Sequence, residues 1–245
     1  MHEYKTFIYL DVQKTGSSFI SSVFRRFSSE PCIRKEGHAA LTGRWDYDSD
    51  KFHVISIREP LDAYISLYSF GCGSEGLLFS FLSKTHARLY NHTWSGFQQW
   101  LDLLLEPENA PLLSANGEAY PAANLVGFQS ARVLQMAMRR SEKKLRDCET
   151  PDDVRQSYKK LNIVNYTIRN ESLRDDLAKL LDTHLRHAMK DADAAIRFVR
   201  SAEPKMVSER VDHKYANARL TPKRAVRLRE REWPMYEFFG YSPPG

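Results

Sequence analysis

The segment Phe7-Ile8-Tyr9-Leu10-Asp11-Val12-Gln13-Lys14-Thr15-Gly16-Ser17-Ser18-Phe19-Ile20 leaves few folds open to this chain. Its apolar run reads as a buried strand, a Lys-Thr-Gly-Ser-Ser turn follows, and a helix opens near Ser17. A strand that feeds a helix through a Gly/Ser/Thr turn carrying a lysine is a recurrent cradle for phosphate. Backbone N–H groups at the helix start point at the anion, the helix dipole favours negative charge, and the lysine adds a mobile point charge. The order of residues sets this turn apart from the loop of nucleotide triphosphatases, G-x-x-x-x-G-K-[ST]. Here no glycine precedes Lys14, the glycine follows it, and Val12 and Gln13 leave little room for a loop that wraps a β-phosphate. Ordinary α/β proteins also carry a strand and a Gly-Ser turn, so this segment alone does not fix the ligand.

A second segment has the same form. Phe52-His53-Val54-Ile55-Ser56-Ile57 reads as a strand, Arg58-Glu59-Pro60 follows, and Leu61, Tyr64, Ile65 and Tyr68 fall at helical spacing. Pro60 suits the first turn of that helix, where its missing N–H costs nothing. Arg58 leaves the strand end, and Ser66 lies eight positions later, two turns into the helix. Arginine can grip a phosphate through two parallel N–H bonds, and serine adds a hydroxyl donor. A helix cap beside a surface arginine is the plainer reading of the same residues.

Taken together, the two segments resemble the sulfotransferases that use 3′-phosphoadenosine 5′-phosphosulfate (PAPS). Lys14-Thr15-Gly16-Ser17-Ser18 is similar to that family's 5′-phosphosulfate loop, with Gln13 in place of a proline and Ser17-Ser18 in place of Gly-Thr. Arg58 and Ser66 have the spacing of its 3′-phosphate motif. Later stretches follow in the family's order: Asn124 to Leu134 resembles a segment of the carbohydrate branch, and Leu161–Thr167 with Leu173, Leu180 and Leu181 resembles its next strand and helix. Asn165 and Ile168 depart from the usual Gly and Glu there, and Leu220-Thr221-Pro222 through Tyr241 resembles the closing helix and aromatic tail. The resemblance implies a P-loop-like α/β sulfotransferase fold with a mostly parallel sheet covered by helices on both faces. It implies PAPS as donor, held by Lys14, Thr15, Gly16, Ser17, Ser18, Arg58 and Ser66, with Lys14 also catalytic. It implies a hydroxyl acceptor, with a saccharide as the expected class.

In-line transfer to a hydroxyl asks for a general base, and histidine titrates closest to neutral pH. In the uronyl 2-O-sulfotransferases a Gly-His pair lies between the two cofactor motifs, and Gly37-His38 occupies that position here. His38 is therefore the expected base, with Glu30 and Glu36 as reserves and His53 expected to be structural. No His/Cys/Asp cluster at ligand spacing argues for a metal.

The remaining composition sets bounds. A chain of 245 residues without a linker is expected to form a single domain. No apolar run reaches the length of a membrane span, and neither a signal peptide nor an internal repeat is expected. Cys32, Cys72 and Cys148 are scattered, which suits a reducing, cytoplasmic setting. The net charge of +5 concentrates late, where Lys205, Arg210, Lys214, Arg219, Lys223, Arg224, Arg227, Arg229 and Arg231 meet only Glu209, Asp212 and Glu230. Without interleaved aromatics or a known module, nucleic acid is not expected as a partner. Trp45, Tyr47, Trp94 and Trp100 could stack on sugar rings, though core packing is the expectation for the group around Trp94, Phe97 and Trp100. Strands alternate with helices along the chain, and that alternation predicts a parallel sheet. A nucleotide kinase with a variant loop, for which Asp11 is the one tempting carboxylate, and a non-catalytic binder of anionic glycan or nucleotide remain as other classes.

Overall fold

The computed structural model describes residues 1–39, 48–114, 116–201 and 220–243. The chain divides into two compact units, one made of Met1–Arg58, Val133–Lys144 and Arg155–Met206, the other of Glu59–Arg132, Leu145–Val154 and Val207–Gly245. Among the described residues the divisions fall within helices and directly after a strand, which is why the sequence shows no linker there. Among the described residues, no helix is long and apolar enough to cross a membrane.

The first unit holds a five-stranded sheet. Its strands are β1 (His2–Glu3), β2 (Phe7–Leu10), β3 (Arg34–Lys35), β4 (Phe52–Ile57) and β5 (Tyr166–Arg169), in the spatial order β3-β1-β2-β4-β5. The sheet is mixed. β2, β4 and β5 are parallel, while the two-residue β1 and β3 add an antiparallel margin. In register, Leu10 pairs with Ile55 and Ile57 pairs with Arg169. The parallel strands thus end at one edge of the sheet, roughly 4.8 Å from neighbour to neighbour.

All four residues of β2 are buried, as expected for a strand with both faces covered. Helix α1 (Ser17–Phe27) turns Ile20, Val23 and Phe24 inward, the spacing of one helical face. Phe24 meets Tyr4, Phe7 and Tyr9 at ring-centroid distances of 6.0, 5.0 and 5.6 Å. Burying such a ring is worth roughly 1.5–3 kcal/mol. Helices α8 (Leu173–Thr183) and α9 (Ala192–Ser201) complete this core through Leu177, Leu180, Leu181, Ala195 and Val199.

The strand expected at Leu161–Thr167 lies later, at Tyr166–Arg169, because helix α7 (Pro151–Leu161) runs through Leu161. That helix starts on a reciprocal cap. The Asp153 carboxylate accepts the Thr150 N–H at 2.8 Å, and Thr150 Oγ1 accepts the Asp153 N–H at 3.2 Å. Asn165 then braces β4: its Oδ1 accepts the His53 N–H at 2.7 Å, and its own N–H donates to the His53 carbonyl at 2.9 Å.

The second unit is helical. Helix α2 (Pro60–Cys72) is capped by the Glu59 carboxylate, which accepts the Asp62 N–H at 2.8 Å. After α2 come two helices, α3 (Leu77–His86) and α4 (Trp94–Leu105). The break arises at Asn91-His92-Thr93, where Thr93 caps α4 by accepting the Gly96 N–H at 3.0 Å and His92 takes a left-handed turn. Phe97, Trp100 and Leu101 are fully buried with Tyr64 and Tyr68, so this group is core. Helices α5 (Phe128–Ala137) and α6 (Ser141–Arg146) lie between α4 and α7 in the chain. Two more, α10 (Pro222–Arg231) and α11 (Trp233–Phe239), follow α9. Between α10 and α11 sits Glu232, fully buried, whose carboxylate accepts the Tyr64 hydroxyl and both the N–H and hydroxyl of Ser130, the latter two at 2.7 and 2.6 Å.

Candidate functional site

The expected loop lies at the tip of β2 and is held to the tip of β4 by buried hydroxyls. Thr15 Oγ1 donates to the Val12 carbonyl at 2.7 Å and stands 2.6 Å from Ser56 Oγ, which in turn is 2.7 Å from the Tyr9 hydroxyl. A carbonyl only accepts, so one proton order satisfies the chain: Tyr9 donates to Ser56, Ser56 to Thr15, and Thr15 to Val12. Burial pushes the Tyr9 phenol far above its ordinary range, partly opposed by the Ser56 bond, so it remains a donor. The Thr15 hydroxyl, expected on the phosphate, is therefore spent inside the protein, and Thr15 can serve an anion only through its backbone N–H.

Two left-handed residues shape the turn. Lys14 has φ 62° and Gly16 has φ 84°. For a residue with a side chain this conformation costs about 1–2 kcal/mol. At Gly16 a Cβ would also press on Leu173 Cδ1, the end of a side chain that would have to move, so the backbone conformation is what calls for glycine there. The Gly16 carbonyl accepts the N–H groups of Phe19 and Ile20 at 3.0 and 3.2 Å. α1 has no side-chain cap at its start and no acidic residue in its first turn. The helix itself offers nothing to the Ser17 and Ser18 N–H groups, which suits an anion at this end.

Arg58 follows β4 on the same sheet edge. Its Nε is buried and has no hydrogen-bond partner among the described residues, and an anion there would satisfy that donor. Ser66, expected to share a phosphate with Arg58, is buried on α2 in the second unit.

His38 lies in the turn after β3. Its ring Nδ1 is 2.6 Å from the Asp11 carbonyl, and its backbone N–H reaches the two Asp11 carboxylate oxygens at 3.2 and 3.3 Å. A carbonyl only accepts, which assigns the proton of neutral His38 to Nδ1 and the lone pair to Nε2. The ring is 36% exposed, whereas the Asp11 side chain is 5% exposed. Asp11 also accepts from the Met1 ammonium and has His2 Nε2 at 3.6 Å. Burial would raise the Asp11 carboxyl, but bonds from His2 and the ammonium, with the positive charge of that ammonium and the electrostatic influence of the His38 ring, outweigh it and hold the carboxyl below its usual range.

The reserve bases are differently placed. Glu30 is tied to Thr6, accepting its N–H at 2.9 Å and its hydroxyl at 2.7 Å. Glu36 lies 3.9 Å from Arg34 Nε. His53 is fully buried, and burial lowers its pKa, in keeping with a structural role. Trp45 and Tyr47, and the basic residues Lys205, Arg210, Lys214 and Arg219, lie outside the described residues. Of the remaining cations, Arg224 makes a bidentate pair with Asp102 at 2.7–3.0 Å, Arg227 pairs with Glu106, and Arg231 donates to the carbonyls of Ala123, Asn124 and Val126. Those three arginines serve the fold of α10 rather than an open cationic face.

Sequence reasoning passed over Asp11 as a partner of His38 and over the Tyr9–Ser56–Thr15 chain. A serine and a tyrosine inside otherwise apolar strands were the available signal. Comparison with family models, with curated proteins and with solved structures returned no match to this chain.

Proposed function

We propose that this protein transfers a sulfuryl group from PAPS to a hydroxyl of a carbohydrate acceptor in the cytoplasm. One observation carries the reading: the Lys14 loop and Arg58 follow neighbouring parallel strands and leave the sheet at the same edge. A donor with a phosphate at each end of an adenosine needs two anion holders of this kind. The residues fit that demand at three points: the start of α1 has no side-chain cap, Gly16 holds a left-handed turn, and the Arg58 Nε is buried without a partner among the described residues.

In this reading the backbone N–H groups of Thr15–Ser18 and the hydroxyls of Ser17 and Ser18 hold the 5′-phosphate, and Arg58 holds the 3′-phosphate. The donor supplies the sulfuryl group and a phosphate leaving group. His38, through Nε2, takes the proton of the acceptor hydroxyl as that oxygen bonds to sulfur and the bond from sulfur to the 5′-phosphate oxygen breaks. Lys14 meets the electron pair left on that oxygen. Products are the sulfate ester and adenosine 3′,5′-bisphosphate. A positioned base contributes about 10²–10⁴-fold and one well-placed charge donor about 10²–10³-fold. The saccharide class rests on the resemblance around Gly37-His38. The cytoplasmic setting rests on the three cysteines, none of which forms a disulfide.

The test is incubation with radiolabelled PAPS and a panel of de-O-sulfated glycosaminoglycan oligosaccharides, read by mass spectrometry. Label carried into a saccharide is the expected result. PAPS left intact with every acceptor, together with a melting temperature raised by Mg-ATP alone, would favour a kinase.

A further inference from the structure

Asp11 holds His38 at two points. Its carboxylate receives the backbone N–H of His38, and its main-chain carbonyl receives the ring Nδ1. The need for such a hold is visible in the backbone. His38 has φ 55°, a left-handed conformation that costs about 1–2 kcal/mol for a residue with a side chain. Left to itself the turn would relax, and the ring would lose its place. The two residues lie 27 positions apart in sequence, so the hold is tertiary and not a property of the turn.

The position of Asp11 gives the hold a consequence. Asp11 directly follows β2 and precedes Lys14 by three residues. The residue that places the imidazole is thus on the same strand tip as the loop expected to hold the donor. We infer that Asp11 is a positioning residue: it fixes the His38 backbone through its carboxylate and the Nδ1–H tautomer through its carbonyl, so that Nε2 presents its lone pair beside the Lys14 loop. This deepens the sulfotransferase reading and rests on it for the role of His38 as base. The arrangement also accounts for the carboxylate that the kinase reading found tempting. Its oxygens already accept the His38 N–H and the Met1 ammonium, with His2 beside them. These groups, with the Glu36 carboxylate that acts on the same ammonium, are the charged neighbours of Asp11 among the described residues.

A purely structural Asp11 would loosen the loop and the turn together, whereas a positioning Asp11 acts on the ring. The experiment uses the full chain with isotope-labelled histidine. Long-range proton–nitrogen correlation spectra report which ring nitrogen of His38 carries the proton, with His38→Ala identifying the resonance. Asp11→Ala keeps the main-chain carbonyl but frees the His38 backbone, so the ring leaves that carbonyl and the Nδ1–H form is expected to give way to the mixture of an unrestrained imidazole. Transfer from PAPS to the oligosaccharide panel should fall about 100-fold, the scale of an ångström of misplacement, while titrated adenosine 3′,5′-bisphosphate binds with unchanged affinity. Asp11→Asn keeps an oxygen for the His38 N–H, and should keep both the tautomer and most of the turnover. This variant stands alone as the test if the alanine chain fails to fold. A His38 that stays Nδ1-protonated in Asp11→Ala, or loses that tautomer in Asp11→Asn, overturns the inference. So does loss of bisphosphate affinity in step with turnover. If no acceptor is sulfated by the parent protein, the functional reading fails, yet the tautomer measurement still decides the role of Asp11.

Discussion

Thr15 Oγ1 and Ser56 Oγ stand 2.6 Å apart across 41 residues of sequence. This bond joins the turn after β2 to the end of β4, and it links the two segments that the sequence singled out. Ser56→Ala removes the middle of the hydroxyl chain and leaves the Tyr9 hydroxyl buried without its partner. The expected loss of stability is about 1–3 kcal/mol, read by urea denaturation. Binding of adenosine 3′,5′-bisphosphate should weaken beyond what stability alone explains, because the loop is no longer fixed to its neighbour.

Gly16→Ala should be more severe than its chemistry suggests. The residue would have to hold φ 84° and displace Leu173. The backbone part alone is about 1–2 kcal/mol, and the clash adds to it. Thermal melting should show a clear drop, and titration should show loss of bisphosphate binding. A stable Gly16→Ala chain that binds normally would mean that the turn is not built as described.

Lys14 and His38 are expected to separate binding from chemistry. Lys14→Ala should reduce turnover by about 10²–10³-fold, and His38→Ala by about 10²–10⁴-fold. Both should retain bisphosphate affinity to a large extent, since the loop N–H groups and Arg58 remain. Single-turnover rates beside equilibrium titration distinguish this from a general loss of the site.

Glu232 carries a prediction about stability and pH. Burial raises its carboxyl above the usual range, although bonds from Ser130 and Tyr64 and the charge of Arg231 pull the other way. A carboxyl raised in the folded state contributes most at low pH, and that contribution is lost as pH climbs from about 4.3, the ordinary glutamate value, through the raised one. Asp11 has the opposite sign. Its lowered carboxyl contributes above about 3.9 and loses that contribution as pH falls through the folded value. Glu232→Ala strands the Tyr64 hydroxyl and the Ser130 donors, at roughly 1–3 kcal/mol for each buried donor left alone. Denaturation curves across pH should show Glu232→Ala markedly less stable than the parent.

Helix α1 and strand β4 were legible because each is local. Their apolar spacing and their turn residues sit within a dozen positions. What stayed hidden was set by contacts across the chain or by small residues. α9 buries Ala192, Ala195 and Val199, a face too weakly apolar for periodicity to announce. β5 starts late because α7 runs through Leu161, and Asn165 just before it braces His53 on β4, a pairing that no local pattern encodes. In the site, the sequence pointed to Lys14, Gly16, Arg58 and His38 by motif. It could not show that the Thr15 hydroxyl turns inward or that Asp11 reaches His38, since both depend on which strands become neighbours.

The most direct test compares two ligands on two proteins. Isothermal titration of the parent and of Arg58→Ala with adenosine 3′,5′-bisphosphate and with adenosine 5′-phosphate isolates the 3′-phosphate. If neighbouring strand tips hold opposite ends of one nucleotide, the parent prefers the bisphosphate by about 10–100-fold, the worth of a charge-assisted contact of roughly 1.5–3 kcal/mol. Arg58→Ala should erase that preference and leave binding of the 5′-phosphate as it was. A parent protein without the preference, or an Arg58→Ala chain that weakens both ligands equally, would contradict it.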